Sequence, residues 1–227
     1  MLDIHLPFKG IRGFSEFLIH LFTITVGLLI AVQIESCVEW RHHLHLAEEA
    51  RASLRKEIEQ NLKDFKQMQP GLKQWQVQTD ADLAAMQRIQ DHPNDPKAQH
   101  ATLTLTFSIV SMPDTAWKTA QATGALAYMP YEEAERYSSI YQTQTQLLAM
   151  QYKPMEEVAA INGLIAKYHW HDSGKITAEQ ASAIAEILGQ TKLYLSNGES
   201  MLQACIEQNQ AFLENRKPRD NFGETLH

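Results

Sequence analysis

The stretch Phe17 to Ile34, FLIHLFTITVGLLIAVQI, constrains this chain more than any other. Its eighteen residues carry no Asp, Glu, Lys or Arg, and at about 1.5 Å of rise per residue they reach roughly 27 Å, close to the hydrocarbon thickness of a bilayer. The stretch reads as one membrane-spanning helix, with the remainder of the chain outside the membrane.

The span is not uniform. Steps of three or four residues from Glu16 reach His20, Thr23, Gly27, Ala31 and Glu35, which share one face of a helix. Phe17, Leu21, Phe22, Ile24, Leu28, Leu29 and Val32 occupy the other faces and suit lipid. Lipid gives apolar helices little reason to associate, so small residues that let backbones approach, and polar groups that bond across, supply the attraction. Thr23, Gly27 and Ala31 form such a ladder, and the span is expected to pack against a partner through it. His20 and Glu35, costly in hydrocarbon, extend the ladder at both ends.

Composition narrows the partners. A net charge of −7 and a pI near 5.8 set nucleic acid aside, since such a partner asks for a basic face. The two cysteines, Cys37 and Cys205, make no disulfide framework and no CxxC. A cleaved signal peptide asks for a shorter apolar run and a small-x-small site, whereas here the run continues into Gln33-Ile34-Glu35. Acidic Glu35 inside Ile34-Glu35-Ser36-Cys37 counts against a lipidated cysteine. Lys9 and Arg12 before the span balance Arg41 and Arg51 after it, and the simplest topology is an uncleaved signal-anchor with a short cytoplasmic N-terminus.

Ser15 is the expected N-cap of the span. Between Ser36 and Gln69 there is neither proline nor glycine, so the span is expected to continue as one long helix. Leu44, Ala47, Ala50, Leu54, Ile58, Leu62, Phe65 and Met68 keep a helical period along it. Pro70-Gly71 predicts a kink or turn, after which Leu72, Trp75, Thr79, Leu83, Met86 and Ile89 resume the period until Asp91-His92-Pro93. Ala101 to Val110, ATLTLTFSIV, alternates like a strand. It has no second strand to pair with, and an extended stretch lying on helices is expected. Further helices follow near Thr115, from Pro130 to about Tyr152, from Pro154, and after the capping box of Thr177 and Gln180. His169 to Gly174 reads as an exposed loop.

Few residues offer chemistry. Glu39 and His42 stand three apart on one helical face, beside His43 and His45, but one helix supplies only about two of the three or four ligands a metal needs. An interfacial cluster is the favoured reading there. His169, His171 and Asp172 form a second, weaker candidate. There is no phosphate-binding glycine loop, no HExxH and no recognisable nucleophile context. No catalytic residue, cofactor or metal site is expected.

The stretch from Phe17 to Leu62, with its HHxH cluster, is one of two distinctive blocks. The other is DTAWKTAQATGALAYMPYEEAERYSSIYQTQ, built on Trp117, Ala120, Gly124, Ala125, Met129, Glu132 and Tyr141. Together they resemble a group of uncharacterised bacterial proteins with one N-terminal span and a helical extramembrane part. The resemblance implies a bacterial membrane protein and adds no reaction.

The expected fold is all-α: a transmembrane helix continuing into a long amphipathic helix, then a bundle-like helical domain. The expected division is a short segment at 1–14, the span at 15–36, a helical extramembrane domain at 37–215 and a loose tail at 216–227. The expected role is a non-catalytic membrane-anchored interaction protein of the inner membrane, its C-terminal domain outside the cytoplasm. Its partners would be lipid, other membrane subunits or copies of itself, with the Thr23/Gly27/Ala31 face and the Leu44 to Met68 stripe as contact surfaces. The alternative is an anchored helical domain that binds a metal or small ligand, at the histidines or near Trp117.

Overall fold

The structure is a computed structural model that describes residues 13–105 and 110–219. It is helical, and no β-strand occurs among the described residues. The chain divides into two compact units, Met1–Glu49 and Ala50–His227.

Helix α1, Phe14–Asp91, spans 78 residues. It opens on Gly13, whose φ of 108° only glycine adopts readily and whose carbonyl accepts from the Glu16 and Phe17 amides. Ser15, expected as the cap, lies inside the first turn, because the helix opens from Gly13 two residues earlier. One 18-residue window near the N-terminus is long and apolar enough to cross a membrane, and none of it is buried inside the protein. Within it the hydroxyls of Thr23 and Thr25 donate to Ile19 O (2.9 Å) and Leu21 O (2.8 Å) one turn back. Ser36 does the same to Val32 O at 2.9 Å. Each hydroxyl proton is thus satisfied inside the helix, as an apolar surrounding requires.

The second unit is built on the rest of α1 and two further long helices, α4 (Tyr131–Lys167) and α6 (Ala178–Leu213). Between α1 and α4 the chain forms α2 (Pro96–Gln99), an irregular stretch, α3 (Thr115–Ala122) and a 3₁₀ turn at Ala125–Tyr128. Helix α5, Trp170–Ser173, turns α4 into α6. Pro70 and Pro154 both lie inside helices: of the kink or turn expected at Pro70-Gly71 the turn does not occur, and at Pro154, where a new helix was expected to start, α4 runs on. At Pro154 tertiary packing carries the helix across: Pro154 is buried, and Leu147, Val158 and Ile161 on either side of it are buried too, whereas Pro70 is exposed. At the other bend, His169 takes a left-handed φ of 52°, which puts Trp170 into the core instead of leaving it in an exposed loop.

Side-chain pairings fix the order of packing. Arg51 meets Glu133, Asn61 meets Gln144 and Phe65 clusters with Leu147, so α1 and α4 run parallel. Gln76 bonds Glu199 and Asp80 bonds Lys192, so α6 runs antiparallel to both. Parallel neighbours need a long return, and residues 92–130 provide it. Thr104 N donates to Asp82, Asn61 donates to Pro113 O, and Ala116 N donates to Glu57, so the return descends alongside α1. The threonine-rich stretch is therefore irregular backbone lying on helices at 101–105, while 106–109 fall outside the described residues.

Among the described residues, two apolar clusters hold this unit. One joins Met86 and Ile89 of α1 to Ile161 and Ile165 of α4, Trp170, and Ile184 and Leu188 of α6. The other joins Phe65, Met112, Leu147, Leu202, Cys205 and Ile206. Each fully buried large side chain contributes about 1.5–3 kcal/mol against leaving it exposed. The capping box of α6 is present in both halves: Gln180 N donates to the Thr177 hydroxyl and Thr177 N to the Gln180 side chain.

Candidate functional site

The Thr23, Gly27 and Ala31 face is solvent-exposed throughout, and a Cβ added at Gly27 meets nothing within 4 Å. The histidines after it engage carboxylates on their own helix. His43 Nε2 lies 3.7 Å from Glu39, four residues earlier, and His45 Nε2 lies 3.1 Å from Glu49. Glu39 therefore pairs with His43 and not with His42. Among the described residues no group of three or more His, Cys, Asp or Glu is placed to hold a metal ion. His169 and Asp172 lie 3.6 Å apart and exposed. Cys37 and Cys205 are free thiols, the first exposed and the second buried.

The stripe offered by the sequence as a partner surface is largely used within the chain. Leu54, Ile58 and Phe65 are fully buried, and only its first position, Leu44, stays exposed.

The Trp117 corner has a centre that sequence reading did not anticipate. Glu57 of α1 accepts from Ala116 N at 2.8 Å, Trp117 N at 3.4 Å and the Tyr141 hydroxyl at 2.7 Å. Asp114, the N-cap residue of α3, makes no side-chain cap bond, so a carboxylate from another helix caps α3 in its place. Burial, then the bond to the Glu57 carboxylate and its charge, push the Tyr141 phenol well above its usual range. That phenol is a fixed donor with no general-base role. One turn further, Asn61 Nδ2 donates to Pro113 O (2.9 Å) and Gln144 Oε1 (3.0 Å), and Gln144 Nε2 donates to Pro113 O (2.9 Å). These groups fasten the return segment and read as structural.

A cleft of about 520 Å³ opens between α1, α4 and α6. Met68, Leu72 and Trp75 of α1, Leu147, Met150 and Pro154 of α4, and Leu195 of α6 give it an apolar wall. Gln67, Gln74, Gln78, Gln151 and Tyr194 add neutral polar groups, and Asp64 a carboxylate at one side. Among the described residues that line it there is no Lys, Arg or His. Asp82, behind Gln78, is pushed up by burial against the bonds from Gln78 and Thr104 N that favour its charged form.

No family model, no curated protein and no solved structure matches this chain. The functional reading therefore rests on geometry and chemistry. No sequence pattern pointed to the cleft, because its walls come from three helices far apart in the chain; the only local signal is helix-breaking residues inside helices, at Pro70-Gly71, Pro154 and Gly198.

Proposed function

We propose that this protein is a single-span bacterial membrane protein, with its helical region forming a bundle-like domain outside the cytoplasm. It works by binding other proteins, as a homo-oligomer or as an accessory subunit of a larger membrane complex, and carries no catalytic centre of its own. The observation that carries this reading is the first part of α1, apolar enough to span a bilayer and unburied along its length, with small and polar residues gathered on one face. In lipid that face gains from a partner backbone at Thr23, Gly27 and Ala31, and it places His20 and Glu35 away from hydrocarbon.

Extraction from native membranes in mild detergent, with the mass of the intact particle and the identity of its components, tests the proposal. A complex with other proteins, or an assembly of copies that Gly27→Ile breaks apart, is expected. A monomeric particle with nothing bound would sink it.

A further inference from the structure

Three long helices each carry a residue that disfavours helix, and the three sites meet at one place. Pro70-Gly71 in α1, Pro154 in α4 and Gly198 in α6 all stand at the cleft, with Gly71, Pro154 and Gly198 lining it. Gly198 is buried, yet a Cβ built on it meets nothing within 4 Å. A larger residue would fit there and favour the helix; glycine instead leaves room. Pro154 has no N–H to donate to the carbonyl of Met150, another lining residue, so the helix gives up a bond at the cleft. Violations of local preference that converge on a cavity mark a site kept for something other than stability.

The wall states what would enter. Its volume, about 520 Å³, suits a small organic molecule. Trp75 and Tyr194 offer ring faces and Met68 and Met150 polarisable sulfur, all favourable to an aromatic ligand. The Gln67 and Gln74 amides and the Trp75 indole N–H are donors available to neutral oxygens, while the amide nitrogens of Gln78 and Gln151 are engaged by Asp82 and Met112. With no cationic residue among the described residues of the wall and Asp64 beside it, a carboxylate or phosphate would be desolvated without compensation. We propose that this cleft binds an uncharged aromatic molecule bearing hydrogen-bond-accepting oxygens, a site independent of the interaction surface on the span.

Flavone, a neutral ring ketone, serves as the probe, titrated against the full-length protein in lipid nanodiscs and read by quenching of tryptophan fluorescence. Saturable quenching is expected, weakened at least tenfold by Gly198→Leu and by Gly71→Leu, and lost largely in Trp75→Phe. Gly189→Leu, in the same helix but exposed and away from the cleft, leaves it unchanged and controls for partition into lipid. A flavone carrying a carboxylate binds at least tenfold more weakly. Thermal unfolding of each leucine variant confirms that it is folded, and two positions are used so that one misfolded variant does not decide the matter. Non-saturable quenching, equal binding by the folded Gly198→Leu or Gly71→Leu variants, or equal binding of the carboxylated analogue overturns the proposal.

Discussion

Trp117 stacks on Tyr141 with ring centroids 5.1 Å apart and planes within 8° of parallel, while both residues donate to the same carboxylate, that of Glu57. One side chain of α1 thus holds the start of α3 and the middle of α4 together.

Tyr141→Phe keeps the stack and removes one charge-assisted bond, so it should destabilise by about 1–2 kcal/mol. Glu57→Ala strips the two α3 amides and the buried phenol of their acceptor at once and should cost about 3 kcal/mol. Urea unfolding of the two variants checks this, and equal effects would mean that the amides find another acceptor at no cost.

The C-terminal end of α6 carries an acid-sensitive clasp. Arg216 donates to Glu207 through two nitrogens, and Arg219 N adds a bond of 2.8 Å to the same carboxylate. The Arg216 guanidinium, with the Arg219 amide, holds the Glu207 carboxyl at about 2, against 4.5 for an ordinary glutamate. Because the folded value is the lower, the unfolded chain takes up the proton first. The clasp stabilises fully above pH 4.5 and loses its contribution as the pH falls toward 2. Glu207→Gln should flatten the acid limb of the stability curve in that window, measured by urea midpoints across pH.

Glycines inside α4 and α6 hold back stability. Gly163, Gly189 and Gly198 each have open space where a Cβ would sit, so replacement by Ala should raise stability by about 0.5–1 kcal/mol at each position. A lowered urea midpoint for any one of them would show that its helix needs the glycine.

Cys205 is packed among Phe65, Leu147 and Leu202, and burial raises its thiol to about 12. Maleimide should label Cys37 alone in the folded protein and both thiols after denaturation, with Cys205 slower by about a thousandfold or more. Intact-mass spectrometry with time reads this directly, and rapid native labelling of Cys205 would place it outside the core.

Much of the helical layout was legible because it is local. The capping box at Thr177, the period from Leu54 to Ile89 and the stop after Asp91 are statements about residues within a turn or two of each other. Pro154 misled for the same reason: proline's cost is local, whereas the packing that overrides it comes from other helices. The trans cap at Glu57 lies 59 residues from the amide it serves, and no spacing rule reaches that far. Trp170 was hidden by a single left-handed residue, His169, whose conformation sequence composition does not announce. Of the candidate sites, the spacing of Thr23, Gly27 and Ala31 concerns a single helix and is visible in the sequence, while the cleft required three helices to be placed first.

Helix α3 has eight residues, too few to persist alone, and its own N-cap residue makes no side-chain cap bond. During synthesis Glu57 leaves the ribosome well before the amides it caps, and Tyr141 emerges 84 residues after it. The cap is therefore ready when α3 appears, and the phenol arrives last. The order in which the chain emerges is thus the order in which the parts of this corner become available.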